Sequence, residues 1–395
     1  MKQWFRRLSR WQYFGLCLLV LITLILHFSI INQPDTLVFD EQHYIEDARS
    51  IIEGNDTLRP EHPPLGKVFI ASGILLFGDN PLGWRFFSIL FGTICIVLFY
   101  LICRKLDMPK GASLIATFLL SLDNLSFVQS SVAMLDVYSF AFMLGAFLLY
   151  LNGGYLLSGV SVGLSALSKI TGVLALPAIC LHWVLARRTR FRWFLASVFL
   201  APISFLVFLP SLDLIVSGKP FDPIGQTKDM LTSMSSLTFT TITHEAASYP
   251  WDWIWRPQIM FYWYEPHYIG TVSFTIWALI VPAVGYMLYR TIKGNKASIF
   301  GLSWFASTYL VWIPLILITD RICYPYYFYP SVGAVCIGLG LGLSQLLDIW
   351  RNRRQGKQRW AALLTVSGYL LCHIGIFVIL SPVFSRWITL IPTPT

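Results

Sequence analysis

The chain opens on a few basic and aromatic residues and then runs apolar without interruption from about 14 to 31. Further unbroken apolar segments follow near 84–103, 111–122, 137–151, 154–168, 170–186, 193–213, 269–289, 299–319, 325–348 and 360–380. None alternates polar and apolar positions, so a transmembrane β-barrel is excluded. A helix needs about 20 apolar residues to cross the hydrocarbon of a bilayer. The eleven segments therefore predict an all-α polytopic membrane protein, with those between 111 and 186 the shortest. One more apolar stretch, 65–77, is only 13 residues long and is bounded by Pro63-Pro64 and Gly78. That length suits an interfacial or re-entrant helix. The first segment has no small-residue cleavage site after it and is expected to stay as an anchor.

Composition strengthens this picture. Of 395 residues 56% are hydrophobic and 12% charged, against about 25% charged in ordinary soluble domains. The seven cysteines include no CxxC pair, which excludes a disulfide scaffold or zinc module. The net charge of +9 does not indicate nucleic acid, because the charges sort by position. Nineteen of the 29 basic residues fall in five clusters: Lys2/Arg6/Arg7/Arg10, Arg104/Lys105/Lys110, Arg187/Arg188/Arg190/Arg192, Arg290/Lys293/Lys296 and Arg351/Arg353/Arg354/Lys357/Arg359. With eleven spans, a cytoplasmic N-terminus and an outer C-terminus, all five lie inside, as the positive-inside rule requires. Of the 20 acids only Asp107 and Asp348 join them. A plasma-membrane protein of one transmembrane domain over 1–395 is expected, with no separate soluble domain. Its long loops, about 33–83 and 214–268, face outward.

The inner loops leave no room for a nucleotide-binding domain, and neither GxxxxGK[ST] nor a Rossmann fingerprint occurs. Gly338-x-Gly340-x-Gly342 and Gly159-xxx-Gly163 lie in apolar runs, where close helix packing explains them. Chemistry is expected on the outer face, on a substrate delivered by a lipid.

The first outer loop carries the candidates. Tyr44, Ala48, Ile51 and Ile52 form one apolar stripe, which predicts a surface helix with Asp40 at its N-cap and Gly54 at its end. Asp40 reads either as a plain cap or, beside Glu41, His43 and Tyr44, as an ionised carboxylate held by backbone N–H groups and able to take a proton. His62-Pro63-Pro64-Leu65-Gly66-Lys67 reads as a stiff elbow between two surface helices. Its cations and Arg85 either face a substrate or snorkel to headgroups. A third outer turn is expected between Asp123 and Asp136. Lys169, between two short spans, is read as unpaired and therefore as a site.

These pieces resemble the protein O-mannosyltransferase family of GT-C membrane glycosyltransferases. The matching residues are Phe39-Asp40-Glu41-xx-Tyr44, the HPPLGK block at 62–67, Gly83-Trp84-Arg85, Met134-Leu135-Asp136, Ser168-Lys169-x-Thr171-Gly172, and Arg321 with Tyr326-Tyr327-Phe328-x-Pro330. His244, Ser248-Tyr249-Pro250-Trp251-x-Trp253 and Arg256-Pro257 match loosely. The resemblance implies a GT-C-like bundle of about eleven helices. It also implies inverting transfer of mannose from a polyprenyl-phosphate carrier to a serine or threonine hydroxyl of a protein. Asp40 would be the base, Glu41 would place the acceptor and Lys169 would hold the lipid phosphate. His43, Tyr44, His62, Lys67, Arg85, Asp136, His244, Arg256, Arg321 and Tyr327 complete the expected substrate site.

Two departures stand out. Ser131 occupies a position where the family usually has arginine. The second loop, about 55 residues, has no room for the sugar-recognition domain of eukaryotic members, which indicates a prokaryotic type. An aminoarabinose-transferase-like enzyme acting on a lipid or wall polymer remains the alternative acceptor class. A transporter would show inverted repeats and mid-membrane charges, neither of which the chain displays, and an inactive scaffold would not need the Asp40–Glu41 pair. No cofactor is expected, since Asp40 and Glu41 alone cage a divalent metal poorly. Trp251, Trp253, Trp255 and Trp263 read as an interfacial belt. Asn55-Asp56-Thr57 and Asn124-Leu125-Ser126 match glycosylation sequons, and the stretch from Ser381 to Thr395 reads as an outer tail.

Overall fold

The computed structural model describes residues 13–187, 189–352 and 356–385. The basic cluster Lys2/Arg6/Arg7/Arg10, together with Arg188, Arg353, Arg354 and most of the expected tail, lies outside the described residues.

Helix α1 (Phe14–Ile30) leads into the first loop, which holds α2 (Glu41–Ile52) and α3 (Leu65–Phe77). Helix α3 has the 13 residues read from the sequence. It ends at Gly78, whose φ of 89° a Cβ would resist. Helix α4 (Pro81–Lys105) starts cleanly because Asn80 accepts from the N–H groups of Leu82 and Gly83 and Pro81 takes the first turn. At 1.5 Å per residue its 25 residues span about 37 Å, so Arg85 and Arg104 sit at opposite ends of the bundle.

Next come α5 (Lys110–Ser121), α6 (Asn124–Ser131), α7 (Leu135–Leu151), α8 (Tyr155–Ser168), a 3₁₀ turn at Ile170–Leu174 and α9 (Ala175–Leu185). Helix α10 (Phe191–Ser217) carries Pro202 and Pro210 and ends in left-handed Gly218. The second loop holds α11 (Pro223–Ser235), the one-turn α12 (Asp252–Trp255) and an antiparallel pair, β1 (Met260–Trp263) with β2 (Tyr268–Gly270). After them lie α13 (Phe274–Trp277), α14 (Ile280–Ile292), α15 (Lys296–Phe305), a π-turn at Ala306–Leu310 and α16 (Trp312–Thr319). A 3₁₀ turn at Pro325–Phe328 then leads to α17 (Tyr329–Asn352) and α18 (Lys357–Leu380).

Among the described residues five helical stretches are long and apolar enough to cross a membrane, or six if the bent pair α5–α6 is one span. Five shorter apolar helices accompany them. The count of eleven spans is therefore not confirmed, and the breaks have local causes. The expected outer turn at 123–136 is instead α6, bent 59° from α5. Asp123 stops α5 by turning its carboxylate to the N–H of Ser126, at 2.9 Å, and of Ser273, at 2.8 Å. The 269–289 run begins as strand β2, then divides into α13 and α14. Asn124 of one sequon is buried, with its amide bonded to the Ile269 carbonyl.

Glycines hold helices close, as their spacing indicated. A Cβ on Gly340 would lie 2.6 Å from the Ala112 carbonyl of α5, and one on Gly159 would lie 2.5 Å from the Ser197 carbonyl of α10. At Gly66 it would meet Leu135 at 2.7 Å, so the glycine of the 62–67 block lets α3 approach α7.

Candidate active site

Three buried ion pairs hold the segments that carry the candidate residues. Arg85 spends all five guanidinium N–H groups. It holds both oxygens of Glu41, at 2.8 and 2.9 Å, and donates to the carbonyls of Ile31, Pro34 and Thr36. Glu41 also accepts from the backbone N–H groups of Val38 and Ala133. Both side chains are fully buried. Arg85 has no N–H to spare and both Glu41 oxygens are engaged, so the expected roles of Glu41 in placing an acceptor and of Arg85 in gripping a substrate would require this pair to open. They fix the loop instead.

Lys67 is likewise sealed. Its ammonium meets Asp47 at 2.7 Å, the Thr57 hydroxyl at 2.6 Å and the Arg59 carbonyl. Asp47 in turn accepts from the N–H groups of Leu58 and Arg59. This closes the elbow that carries His62, so Lys67 shapes the site without facing it.

The third pair is Lys169 with Asp136. The ammonium sits 2.8 and 2.7 Å from the two carboxylate oxygens, and it lies over the rings of Tyr326 at 5.0 Å and Tyr327 at 5.7 Å. Lys169 is therefore paired, contrary to its reading from sequence, and the partner is the expected site residue Asp136.

Asp40 faces this third pair. Its half-buried carboxylate makes no cap bond, so the expected backbone N–H cradle is absent. Burial pushes its pKa up to about 6, with Lys169 and Arg59 pulling down and Asp136 pushing up. The residue is aimed by its neighbours. Phe39 holds a left-handed φ of 50° and stacks on Tyr262 at 4.4 Å, while Glu41 on the other side is clamped by Arg85. A non-glycine residue in that region is sparsely populated and marks a constrained position.

Tyr44 lies within electrostatic reach of Asp40, Asp136 and Tyr327, and burial keeps its hydroxyl protonated well past the usual range. The His62 ring packs edge-on to Tyr44 at 5.7 Å. Burial, with Lys169, Lys67, Arg321 and Arg59 around it, holds His62 neutral, and its Nδ1 has no partner. His43 accepts from Arg59 at 2.8 Å. Arg321 follows left-handed Asp320 and reaches Tyr327, and its Nη1 is buried without a partner.

His244 and Arg256 stand apart. His244 is exposed against Tyr324, and Arg256 is exposed with Asp252. Among the four tryptophans, Trp253 is buried on the Ser248 hydroxyl, whereas Trp255 is exposed. Ser131 bonds His27 at 3.0 Å and so fills its place with a packing contact, not a cation. Phe39 and Tyr326, which belong to the matching motifs but were given no role, join the site, as does Arg59, adjacent to the 62–67 block. Tyr262 was not singled out and shows only through long-range packing. No group of three His, Cys, Asp or Glu side chains among the described residues is placed to hold a metal.

The arrangement of helices is that of GT-C membrane glycosyltransferases, and the chain is a multi-pass membrane protein. It superposes on the Saccharomyces cerevisiae protein O-mannosyltransferase Pmt1-Pmt2 complex bound to the sugar donor with a TM-score of 0.73. That match has 13% identity and covers 95% of this chain and 90% of that one. ArnT from Cupriavidus metallidurans gives 0.59 at 17% identity, over 94% of this chain and 74% of that one.

Sequence similarity covers less of the chain than the fold does. Residues 61–213 match the model of dolichyl-phosphate-mannose-protein mannosyltransferases. A polyprenol-phosphate-mannose--protein mannosyltransferase of Mycolicibacterium smegmatis is 37% identical over 136 residues, which is 33% of this chain. The match spans 26%, about a quarter, of that relative's length.

Proposed function

We propose that the protein is an inverting glycosyltransferase that moves mannose from a polyprenyl-phosphate carrier to a serine or threonine hydroxyl of a protein, on the extracytoplasmic side. The observation that carries this is the Asp40 carboxylate. Among the described residues it takes no hydrogen bond, and it lies within electrostatic reach of the buried Lys169, beside which Tyr327 meets the half-buried Arg321. The fold and the family segment support the same reading.

In this reading the acceptor oxygen attacks the anomeric carbon as its proton passes to Asp40. The carbon–oxygen bond to phosphate breaks on the opposite face, and its electrons leave with the phosphate. Arg321 offers an unmet buried donor to that phosphate. Lys169 joins it by exchanging Asp136 for the phosphate oxygens. The tyrosine walls and the neutral His62 keep this pocket from adding charge of its own. Glu41, Asp47 and Asp136 each have their own cation, so no carboxylate beside Asp40 calls for a metal and transfer is expected to persist in EDTA.

Membranes carrying the protein, given labelled polyprenyl-phosphate mannose and a serine/threonine-rich peptide, should label the peptide. Label moving only to lipid would instead support the aminoarabinose-transferase-like alternative, which the likeness to ArnT keeps in view.

The rate should depend on pH in a definite direction. A base must be deprotonated, so kcat/KM rises with pH through about 6 and then levels. Lys169 lowers the Asp40 pKa, so Lys169→Met should move the acid limb to higher pH as well as slow the reaction. A midpoint that stays fixed in this variant would disconnect Asp40 from the limb.

A further inference from the structure

A cavity of about 470 Å³ lies between the 56–64 elbow and the corner of α10 and α11. His62 lines it and also lies within electrostatic reach of Lys169 and Arg321 in the Asp40 cluster. Three polar atoms on its lining are buried with no hydrogen-bond partner: His62 Nδ1, Asp213 Oδ2 and Gln226 Oε1. Native structures leave few such atoms unmet, and three from separate elements converge here.

Their chemistry is selective. Asp213 is only 4% exposed. Its other oxygen accepts from Gln226 Nε2 at 3.1 Å, which orients the amide and makes the unmet Oε1 an acceptor. Asp56, Asp222 and Asp229 add three more carboxylates to the lining, although Asp222 also caps α11. Among the described residues no lysine or arginine lines the cavity, and the nearby Lys67 is matched by Asp47. Such a chamber repels a phosphate and suits a ligand that only donates and carries positive charge.

We propose that this cavity seats a lysine or arginine side chain of the acceptor polypeptide while the neighbouring serine or threonine hydroxyl enters at Asp40. The inference rests on the protein-acceptor reading above and adds the sequence preference of that acceptor. A basic residue beside the target would be read by Asp213 and Gln226, and an acidic one refused.

The test uses the full-length protein in lipid nanodiscs, labelled polyprenyl-phosphate mannose and three peptides. Each peptide carries one serine, flanked by lysine, alanine or glutamate. The lysine peptide should exceed the glutamate peptide in kcat/KM by about ten-fold, the low end for one hydrogen bond to a charged group. Asp213→Asn should lower that ratio several-fold, and Gln226→Glu, which adds a carboxylate, should raise it. Equal rates for all three peptides, or a ratio indifferent to both substitutions, would overturn the proposal while leaving the transferase reading intact. Labelling of lipid with none of the peptides would overturn the protein-acceptor reading itself.

Discussion

Asp40→Asn should abolish transfer and yet leave a more stable protein. A positioned general base contributes about 10²–10⁴-fold in rate, and a loss of that size is expected in kcat with expression unchanged. Stability should move the other way. The carboxyl has a native pKa of about 6 against 3.8 in the unfolded chain, so the folded state prefers it protonated. The unfolded chain ionises first as pH rises past 3.8, and the penalty reaches its full size once the folded group ionises near 6. Two units correspond to roughly 3 kcal/mol, an upper bound for a half-buried group. An uncharged amide removes this penalty, and it leaves no donor unpaired because Asp40 accepts no cap bond. Thermal unfolding of Asp40→Asn and native protein should therefore diverge at pH 8 and converge near pH 4. Native-like kcat, or lower stability at pH 8, would mean that Asp40 is a structural cap after all.

The chemistry of this site was more legible in the sequence than its connectivity. Asp40, Tyr44, His62, Asp136, Lys169, Arg321 and Tyr327 were all marked by residue type and motif, and the structure brings them to one cluster. Which charges cancel could not be read, because the partners are far apart in the chain. Glu41 meets Arg85 across 44 residues, and Lys169 meets Asp136 across 33. A cation in an apolar context announces that it must be satisfied, not by what. Hence Lys67 and Arg85 were read as substrate ligands when their donors are spent on carbonyls and carboxylates.

The helical breaks were hidden for a related reason. An apolar run reports that a segment is surrounded by lipid or protein, and it is silent on whether the backbone stays straight. Asp123 was visible as the end of α5, but its second role, accepting from the backbone of Ser273 in another part of the chain, was not. That contact ties α6 to the segment before α13, so the run expected to be one span becomes a strand and two helices. The same economy of long-range bonds places Tyr262 against Phe39, and so sets the backbone on which Asp40 stands.

Arg85→Met should unfold this region rather than merely slow the proposed transfer. It leaves the Glu41 carboxylate fully buried with only the N–H groups of Val38 and Ala133, and it strips donors from the carbonyls of Ile31, Pro34 and Thr36. Removing one partner of a buried pair costs about 3–5 kcal/mol, chiefly because the other charge stays behind. Adding Glu41→Gln removes that stranded charge, so the double variant should recover a good part of the loss, a coupling that a thermodynamic cycle measures directly. Folded yield and melting temperature in detergent should therefore rank native above the double variant and the double variant above Arg85→Met. Asp40→Asn should lie at or above native on the same scale. The two neighbouring acids then separate cleanly. Losing the charge at 40 costs activity and no stability, and stranding the charge at 41 costs stability first, with activity falling in step with the folded fraction. If Arg85→Met folds as well as the native protein but loses affinity for the polyprenyl-phosphate donor, Arg85 is a phosphate ligand and the sealed pair is not the state that works.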